Sequence, residues 1–295
     1  MTIQNVGILN FGGVGEPPWW GEACREKAVY GFRRLLNGRS AVSAVCKTIT
    51  LMEDSGLFNA GIGSALHEDG SVLMDAGIMD SKFSAGRDEG GHSGGVIHVS
   101  KVQNPILLAR RVMATPYKML AGKGADNFAE FCTMKNRIQP SEWAKIRYDE
   151  MRNGGGAFYL KPPSMRSKVA PGPSPDTIGV VARGQNGDFA AGVSTGGFAC
   201  AIGRVGDAAI PGIGYFAGPK GAVAVTGLGE FIMENFVALS VYRLLASYAP
   251  QEACDLARQK FGRPDIPVGI IAISEKGAGV IPHDMPHAIL LEKKS

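Results

Sequence analysis

Thr177 occupies a position in the sequence where a hydroxyl could act as a nucleophile. It opens a run of β-forming residues directly after a segment that contains Pro173 and Pro175. Prolines cannot donate a hydrogen bond to a sheet and bias their neighbours toward extended backbone, which suits a segment that is to be cut. If the bond between Asp176 and Thr177 breaks, the threonine gains an α-amine whose ordinary pKa of about 8 suits a general base. Asp176-Thr177 is therefore a candidate cleavage site, and Thr177 a candidate N-terminal nucleophile.

A predicted hairpin brings a second threonine close to Thr177. Two β-rich runs flank Asn186-Gly187, the dipeptide that most favours a two-residue turn, because both positions tolerate a positive φ. With these turn residues, the register places Thr177 opposite Gly196 and beside Thr195. The alternative is that Thr177 simply opens a strand as a β-branched residue, which is the commonest role of a threonine there.

A pair of opposite charges, Arg204 and Asp207, lies between glycines a little further along the chain. The two side chains could hold the two ends of an amino-acid zwitterion, since the guanidinium fork suits a carboxylate. The alternative is a turn with a surface ion pair, worth only about 0–1 kcal/mol.

The segment from Thr226 to Gly229 precedes a stretch, residues 230–245, with helical spacing of apolar residues. The pattern predicts one helix with a glycine-rich loop at its N-terminus. Unpaired N–H groups there suit an anionic tetrahedral intermediate, and one such donor lowers the barrier by roughly 3 kcal/mol. The predicted core face of this helix consists of Met233, Phe236, Val237, Ser240, Val241 and Leu244.

The composition fits one large domain with a sizeable core, because the 295 residues are 45% hydrophobic and 20% charged. A net charge of +4 without a long basic tract gives no argument for nucleic acid. The sequence has neither a long apolar run nor a positively charged leader, so we expect no membrane partner and a cytoplasmic location. Scattered cysteines and histidines predict no disulfide framework, no metal site and core or surface roles for these residues.

The predicted elements are strands over 6–11, 71–74, 94–100 and 268–274, helices over 21–36, 41–52, 105–113, 124–135 and 251–261, and a linker over 139–175. Blocks of strands that alternate with paired helices fit two layers of sheet between two layers of helix.

In order and spacing, these motifs resemble the threonine-type N-terminal-nucleophile hydrolases of the plant-type asparaginase and isoaspartyl peptidase family. The resemblance also rests on the segments FNAGIG, residues 58–63, and MDAGIMD, residues 74–80. It implies an α+β fold, a four-layer αββα sandwich in one domain. It further implies self-cleavage into an α subunit, 1–176, and a β subunit, 177–295, which assemble as a dimer of αβ units, a heterotetramer.

The resemblance assigns catalytic roles to five residues. Thr177 is the nucleophile, Thr195 orients it, Thr226 and Gly227 form the oxyanion hole, and Asn59 is a supporting polar residue near the nucleophile.

The remaining implied roles concern the substrate. Arg204 holds its α-carboxylate, Asp207 its α-amino group, and Gly229 lines the same site. The implied activity releases aspartate from L-asparagine or from β-aspartyl dipeptides. No cofactor is implied, although the segment 53–58 is similar to a family loop that can hold a monovalent cation through backbone carbonyls.

Some residues depart from the family pattern. Asp176 precedes the nucleophile where isoaspartyl peptidases usually carry glycine, and aspartate there is similar to glycosylasparaginases. Hydrolysis of glycosylated asparagine is therefore an alternative. Pro175 replaces the histidine usual in glycosylasparaginases, and Phe11 stands where the family commonly has histidine.

Two further alternatives belong to other classes. A relative that is never cleaved could bind an amino acid through Arg204 and Asp207 without turnover. The segment 192–196 also matches the G-x-S-x-G elbow of α/β-hydrolases, with Ser194 as nucleophile followed by Asp207 and a later histidine. The short, glycine-bounded segment after it argues against a helix, which an elbow requires.

Overall fold

A computed structural model describes residues 6–83, 90–134, 139–153, 177–199, 201, 203–262 and 266–292. The described chain is a mixed α+β structure with two sheets. The strands are β1 Val6–Phe11, β2 Met74–Asp80, β3 His92–Val99, β4 Met119–Ala121, β5 Ile178–Arg183, β6 Phe189–Thr195, β7 Tyr215–Gly218, β8 Gly221–Gly227, β9 Val268–Ser274, β10 Gly277–Ile281 and β11 His287–Glu292. The α-helices are α1 Gly21–Leu36, α2 Ala41–Glu53, α3 Pro105–Met113, α4 Gly122–Phe131, α5 Glu142–Asn153, α6 Gly229–Asn235, α7 Val237–Leu244 and α8 Pro250–Phe261.

The larger sheet has the strand order β11-β1-β5-β6-β2-β3-β4. Its described pairs are antiparallel except for β3 with β4, which is parallel. The central strands β1 and β6 are buried along their whole length. Their nearly continuous runs of apolar and small residues are typical of strands that are covered on both faces.

The smaller sheet has the order β10-β9-β8-β7, and its pairs are antiparallel. The two sheets contact each other through β5 and β6 on one side and β8 on the other. Helices α1, α2 and α3 contact the larger sheet, and α7 and α8 contact the smaller one. The predicted strands 6–11 and 268–274 and helices 21–36 and 105–113 are confirmed, and the predicted strand 94–100 and the other predicted helices shift by a few residues. The predicted strand 71–74 is wrong, because β2 begins only at Met74.

The predicted linker over 139–175 contains the helix α5, so this prediction is wrong in its described part. Ser141 caps the helix, since its hydroxyl accepts a hydrogen bond from the Ala144 N–H at 3.2 Å. Arg147 pairs with the buried Glu16, and the Trp143 ring lies edge-on to Trp20 at 6.2 Å. These long-range contacts stabilise a polar helix that has only one buried residue of its own. Residues 154–176 lie outside the described part.

The predicted single helix over 230–245 is two helices, α6 and α7, separated at Phe236. That residue has a left-handed backbone, with φ of 48°, and its side chain is exposed rather than in the core. The N–H groups of Ala238 and Leu239 donate to Ile213 and Gly212 at 3.2 and 2.9 Å instead of to a preceding turn. The break therefore comes from a neighbouring loop that takes these hydrogen bonds.

None of the helices in the described ranges is long and apolar enough to cross a membrane.

Candidate active site

The hairpin between β5 and β6 has a three-residue loop instead of the predicted two-residue turn. The Gly184 N–H donates to the Asp188 carbonyl at 2.8 Å, and the Gly187 N–H donates to the Gly184 carbonyl at 3.1 Å. Gly187 has a positive φ of 75°. This geometry matches a three-residue loop that ends in a left-handed glycine. The predicted turn position is confirmed, but the predicted register is wrong by one residue.

The corrected register sets the two threonines across from each other. Strand β5 pairs Ile178 with Ser194, so Thr177 lies across from Thr195 and not from Gly196. Both threonines are buried, with exposed fractions of 6% and 4%. Because directly opposite residues share a face of the sheet, both hydroxyls lie on one side. The structure thus brings together the predicted nucleophile and its orienting hydroxyl.

A carboxylate extends this row. Asp75 on β2 is the register partner of Thr195 on β6, so three adjacent strands place Asp75, Thr195 and Thr177 side by side. This face contacts the smaller sheet, because Val193 belongs to the core that includes strands of both sheets. Asp75 belongs to the segment MDAGIMD that carries the family resemblance, but the sequence gave it no role of its own, because its place beside Thr195 depends on strand pairing.

Asn59 supports the loop that follows Thr195. Its side-chain amide donates to the Gly197 carbonyl at 2.8 Å, and its own carbonyl accepts from the Gly196 N–H at 3.0 Å. The Gly197 N–H in turn donates to the Thr195 hydroxyl at 3.1 Å. Asn59 is buried and fixes the backbone next to Thr195.

Thr226 and Gly227 come from the smaller sheet. Thr226 is fully buried on β8, and its hydroxyl has no hydrogen-bond partner among the described residues. Gly227 has φ of 138°, and a Cβ there would collide with the Pro267 carbonyl. Buried polar groups are normally hydrogen-bonded, so the Thr226 hydroxyl is suited to a ligand.

Glu230 and Phe198 both contact the Arg204 side chain. Its Nε and Nη2 donate to the two carboxylate oxygens of Glu230 at 2.8 and 3.1 Å. The guanidinium carbon lies 4.1 Å from the centre of the Phe198 ring, a cation–π contact. In the sequence, Glu230 was predicted only as a helix start, and Phe198 had no predicted role.

Asp207 is buried beside Arg204, and its Oδ2 has no hydrogen-bond partner within the described ranges. Burial raises its pKa to about 6; Arg204 lowers the pKa, whereas Glu230 and Asp75 raise it. A Cβ on Gly229 would collide with both Arg204 and Asp207. The structure therefore places these three residues together, and their role in binding a substrate stays a prediction.

His98 connects Asp75 to the Arg204 loop. A bulge in the pairing of β2 with β3 leaves His98 with a φ of 53°, and its N–H donates to the Asp75 carboxylate at 2.7 Å. Its Nε2 lies 2.9 Å from the Arg204 carbonyl. Burial raises the Asp75 pKa, and the His98 hydrogen bond and Arg204 oppose that rise. No sequence signal marks this bulge.

The opposite face of β6 excludes the α/β-hydrolase alternative. Ser194 is fully buried, and its hydroxyl donates to Glu53 at 2.8 Å on the helix side of the sheet. Burial raises the pKa of Glu53 to about 8. A hydroxyl inside the core cannot serve as an exposed elbow nucleophile.

Two features of the expected site stay predictions. Asp176 lies outside the described residues. The segment 53–58 is described, and a monovalent cation bound by its carbonyls stays a prediction. No group of three or more His, Cys, Asp or Glu side chains in the described ranges could hold a metal ion.

Comparison with known proteins gives the family of the chain. A family model described as asparaginase matches residues 21–291, which include every described site residue. The chain belongs to this asparaginase family. The resemblance inferred from the motifs is confirmed.

Individual family members cover most of the chain. The plant-type L-asparaginase of Pyrococcus furiosus is 36% identical over 270 residues, which span 87% of this chain and 84% of that protein. The isoaspartyl peptidase of Salmonella typhimurium is 31% identical over 268 residues, or 88% and 83% of the two chains. The isoaspartyl peptidase of Escherichia coli is 32% identical over 263 residues, or 85% and 78%.

Proposed function

We propose that this protein is an amidohydrolase that releases aspartate from L-asparagine and from β-aspartyl dipeptides. The observation that carries the proposal is the buried pair Thr177 and Thr195, which the strand register sets face to face in a chain of the asparaginase family. Relatives named L-asparaginase and isoaspartyl peptidase support both substrates.

Self-cleavage comes first in the proposed mechanism. Hydrolysis of the bond between Asp176 and Thr177 consumes one water and leaves a carboxylate on Asp176 and an amine on Thr177. The amine then takes the proton from the Thr177 hydroxyl as its oxygen attacks the substrate side-chain carbonyl. The Thr195 hydroxyl orients the nucleophile from the facing strand.

The oxyanion forms next to the smaller sheet. The Thr226 hydroxyl, which is buried without a partner in the described chain, and the Gly227 N–H would donate to it. Collapse of the intermediate expels ammonia or an amine, which receives the proton from Thr177. Water then hydrolyses the β-aspartyl ester and frees aspartate.

Charge complementarity selects the substrate. The Asp207 carboxylate, desolvated and with one oxygen unpaired in the described structure, gains a partner when an α-ammonium group binds. Arg204 binds the α-carboxylate of the same zwitterion. The substrate class is therefore a small molecule with an aspartyl group whose α-ammonium and α-carboxylate groups are both free.

The proposed assembly follows the family. Residues 1–176 and 177–295 form the α and β subunits of one four-layer αββα domain, and two αβ units form a dimer in the cytoplasm. The contacts of helices with each sheet, and of the sheets with each other, support the layered fold. A monovalent cation bound by the segment 53–58 is part of the proposal.

The aspartate that precedes the nucleophile favours a second substrate, glycosylated asparagine. We rank it below asparagine because the sequence Thr226-Gly227-Leu228-Gly229-Glu230 resembles the asparaginase form. An uncleaved chain that only binds the amino acid is the third possibility.

Intact mass spectrometry after prolonged incubation tests the first step. We expect two fragments whose masses place the break before Thr177, and release of aspartate from L-asparagine and a β-aspartyl dipeptide. Thr177→Ala should remain one chain and lose at least about a thousandfold in rate. A persistent single chain in the wild type, or activity in purified Thr177→Ala, would contradict the mechanism.

A further inference from the structure

One edge of the Arg204 guanidinium is occupied by a carboxylate of the chain itself. Glu230 accepts hydrogen bonds from Nε and Nη2 at 2.8 and 3.1 Å, a bidentate arrangement along the side of the planar fork. A guanidinium has five N–H donors, and its end, formed by Nη1 and Nη2, has the spacing for another carboxylate. The Glu230 contact therefore fixes the rotation of the fork while using only its side edge.

A second contact fixes the plane of the fork. The Phe198 ring centre lies 4.1 Å from the guanidinium carbon. With a ring against the plane and a carboxylate along the side edge, few orientations of the guanidinium remain. The Arg204 side chain is only 15% exposed, whereas the Glu230 side chain is 51% exposed. Glu230 thus holds the charged group from the solvent side.

Other carboxylates compete for the Arg204 guanidinium. A Cβ built on Gly229 would collide with both Arg204 and the buried Asp207 carboxylate, so these two groups are close. Arg204 also offsets part of the rise that burial causes in the pKa of Asp75 and of Asp207. Without Glu230, rotation toward these carboxylates would strengthen their attraction to the guanidinium. The substrate carboxylate would then lose its aligned donors.

We propose that Glu230 is a positioning residue that, together with Phe198, aims the end of the Arg204 fork at the substrate α-carboxylate. This inference rests on the proposed role of Arg204. Glu230 touches neither the scissile amide nor the nucleophile in this scheme, so it acts on substrate affinity and not on chemistry.

The test compares Glu230→Gln with the wild type on two substrates. For L-asparagine, we expect a rise in KM of about three- to tenfold with kcat within about twofold of wild type. For L-aspartic acid diamide, which lacks the α-carboxylate, the variant should match the wild type. In an Arg204→Ala background, Glu230→Gln should add no further loss on L-asparagine, because the residue it acts through is absent.

Glu234→Gln provides the matched control, because Glu234 lies one turn further along α6 and is exposed. It should leave both substrates unaffected. Equal losses on both substrates, or an unchanged KM for L-asparagine in Glu230→Gln, would overturn the proposal.

Calorimetric binding of L-aspartate separates this proposal from the proposed function. If the wild type hydrolyses neither substrate but binds aspartate more tightly than Glu230→Gln, the proposed function fails and the role of Glu230 stands. If the wild type is active and Glu230→Gln binds aspartate equally well, the role of Glu230 fails and the function stands.

Discussion

The two halves of the candidate site are positioned by different physical means. Thr177 and Thr195 face each other because backbone hydrogen bonds fix the register of β5 and β6, and both are buried. Arg204 and Asp207 lie outside the strands, and side-chain charges hold Arg204 through a partly exposed Glu230. Many backbone hydrogen bonds fix the register of the sheet, whereas few side-chain contacts hold Arg204. We expect substitutions in the first region to affect chemistry, because it carries the proposed nucleophile. Substitutions in the second region should affect substrate affinity, because its charges bind the substrate.

After Thr177→Ala, the next largest effect should come from Thr226→Val. The side chains of threonine and valine have nearly the same shape. The Thr226 hydroxyl has no hydrogen bond to lose in the described structure. We expect kcat to fall about a hundred- to a thousandfold, as for other oxyanion donors, with an unchanged melting temperature. Thr226→Ser should retain most activity. A drop in melting temperature without loss of kcat would make Thr226 structural.

A smaller effect is expected for Asp207→Asn, which removes the charge that would meet the α-ammonium group. The kcat/KM at neutral pH should fall about ten- to a hundredfold, the usual range for a lost charge-assisted hydrogen bond. The pKa of Asp207 is about 6, so the wild-type kcat/KM should decrease below that pH as the carboxyl becomes neutral. In Asp207→Asn the limb near pH 6 should be absent, whereas the decrease caused by protonation of the Thr177 α-amine, whose ordinary pKa is about 8, should remain. If the limb at the lower pH persists, another group titrates there.

Gly229→Ala should act mainly on affinity. The added Cβ would displace both Arg204 and Asp207, so we expect KM to rise about tenfold with a smaller change in kcat. Gly124→Ala is the matched control, because a Cβ at Gly124 meets nothing within 4 Å. A fall in kcat alone would place Gly229 with the chemical half of the site.

The smallest effect on activity is expected for Glu53→Gln, on the far face of β6. The folded-state pKa of Glu53, about 8, lies above its ordinary value of 4.5. The wild type therefore loses stability as pH rises from the ordinary value through about 8, because the unfolded chain releases this proton above the ordinary pKa whereas the folded chain keeps the buried carboxyl protonated. Glu53→Gln should flatten this decline in thermal melts between pH 4 and 9, taken at about one-unit steps, with normal kcat. An equally steep decline in the variant would contradict the assignment to Glu53.

Local patterns predicted part of the regular structure. The helix Gly21–Leu36 and the strand Val268–Ser274 are confirmed to the residue, since their apolar spacing and flanking residues are all local signals. The hairpin was also predicted at Asn186-Gly187, but its loop has one more residue, because sequence alone does not distinguish two- from three-residue turns. That single residue decides whether Thr177 faces Gly196 or Thr195.

The amino-acid sequence by itself determined the family, the candidate nucleophile and the pairing of Arg204 with Asp207, because these depend on residue types at short or fixed spacing. Tertiary structure alone decided that Asp75 stands beside Thr195 and that Glu230 engages Arg204. It also decided the break at Phe236, where loop carbonyls accept hydrogen bonds from N–H groups of the next helix. These contacts join residues that are far apart in the chain, or depend on hydrogen bonds between elements. No local periodicity of the sequence specifies them.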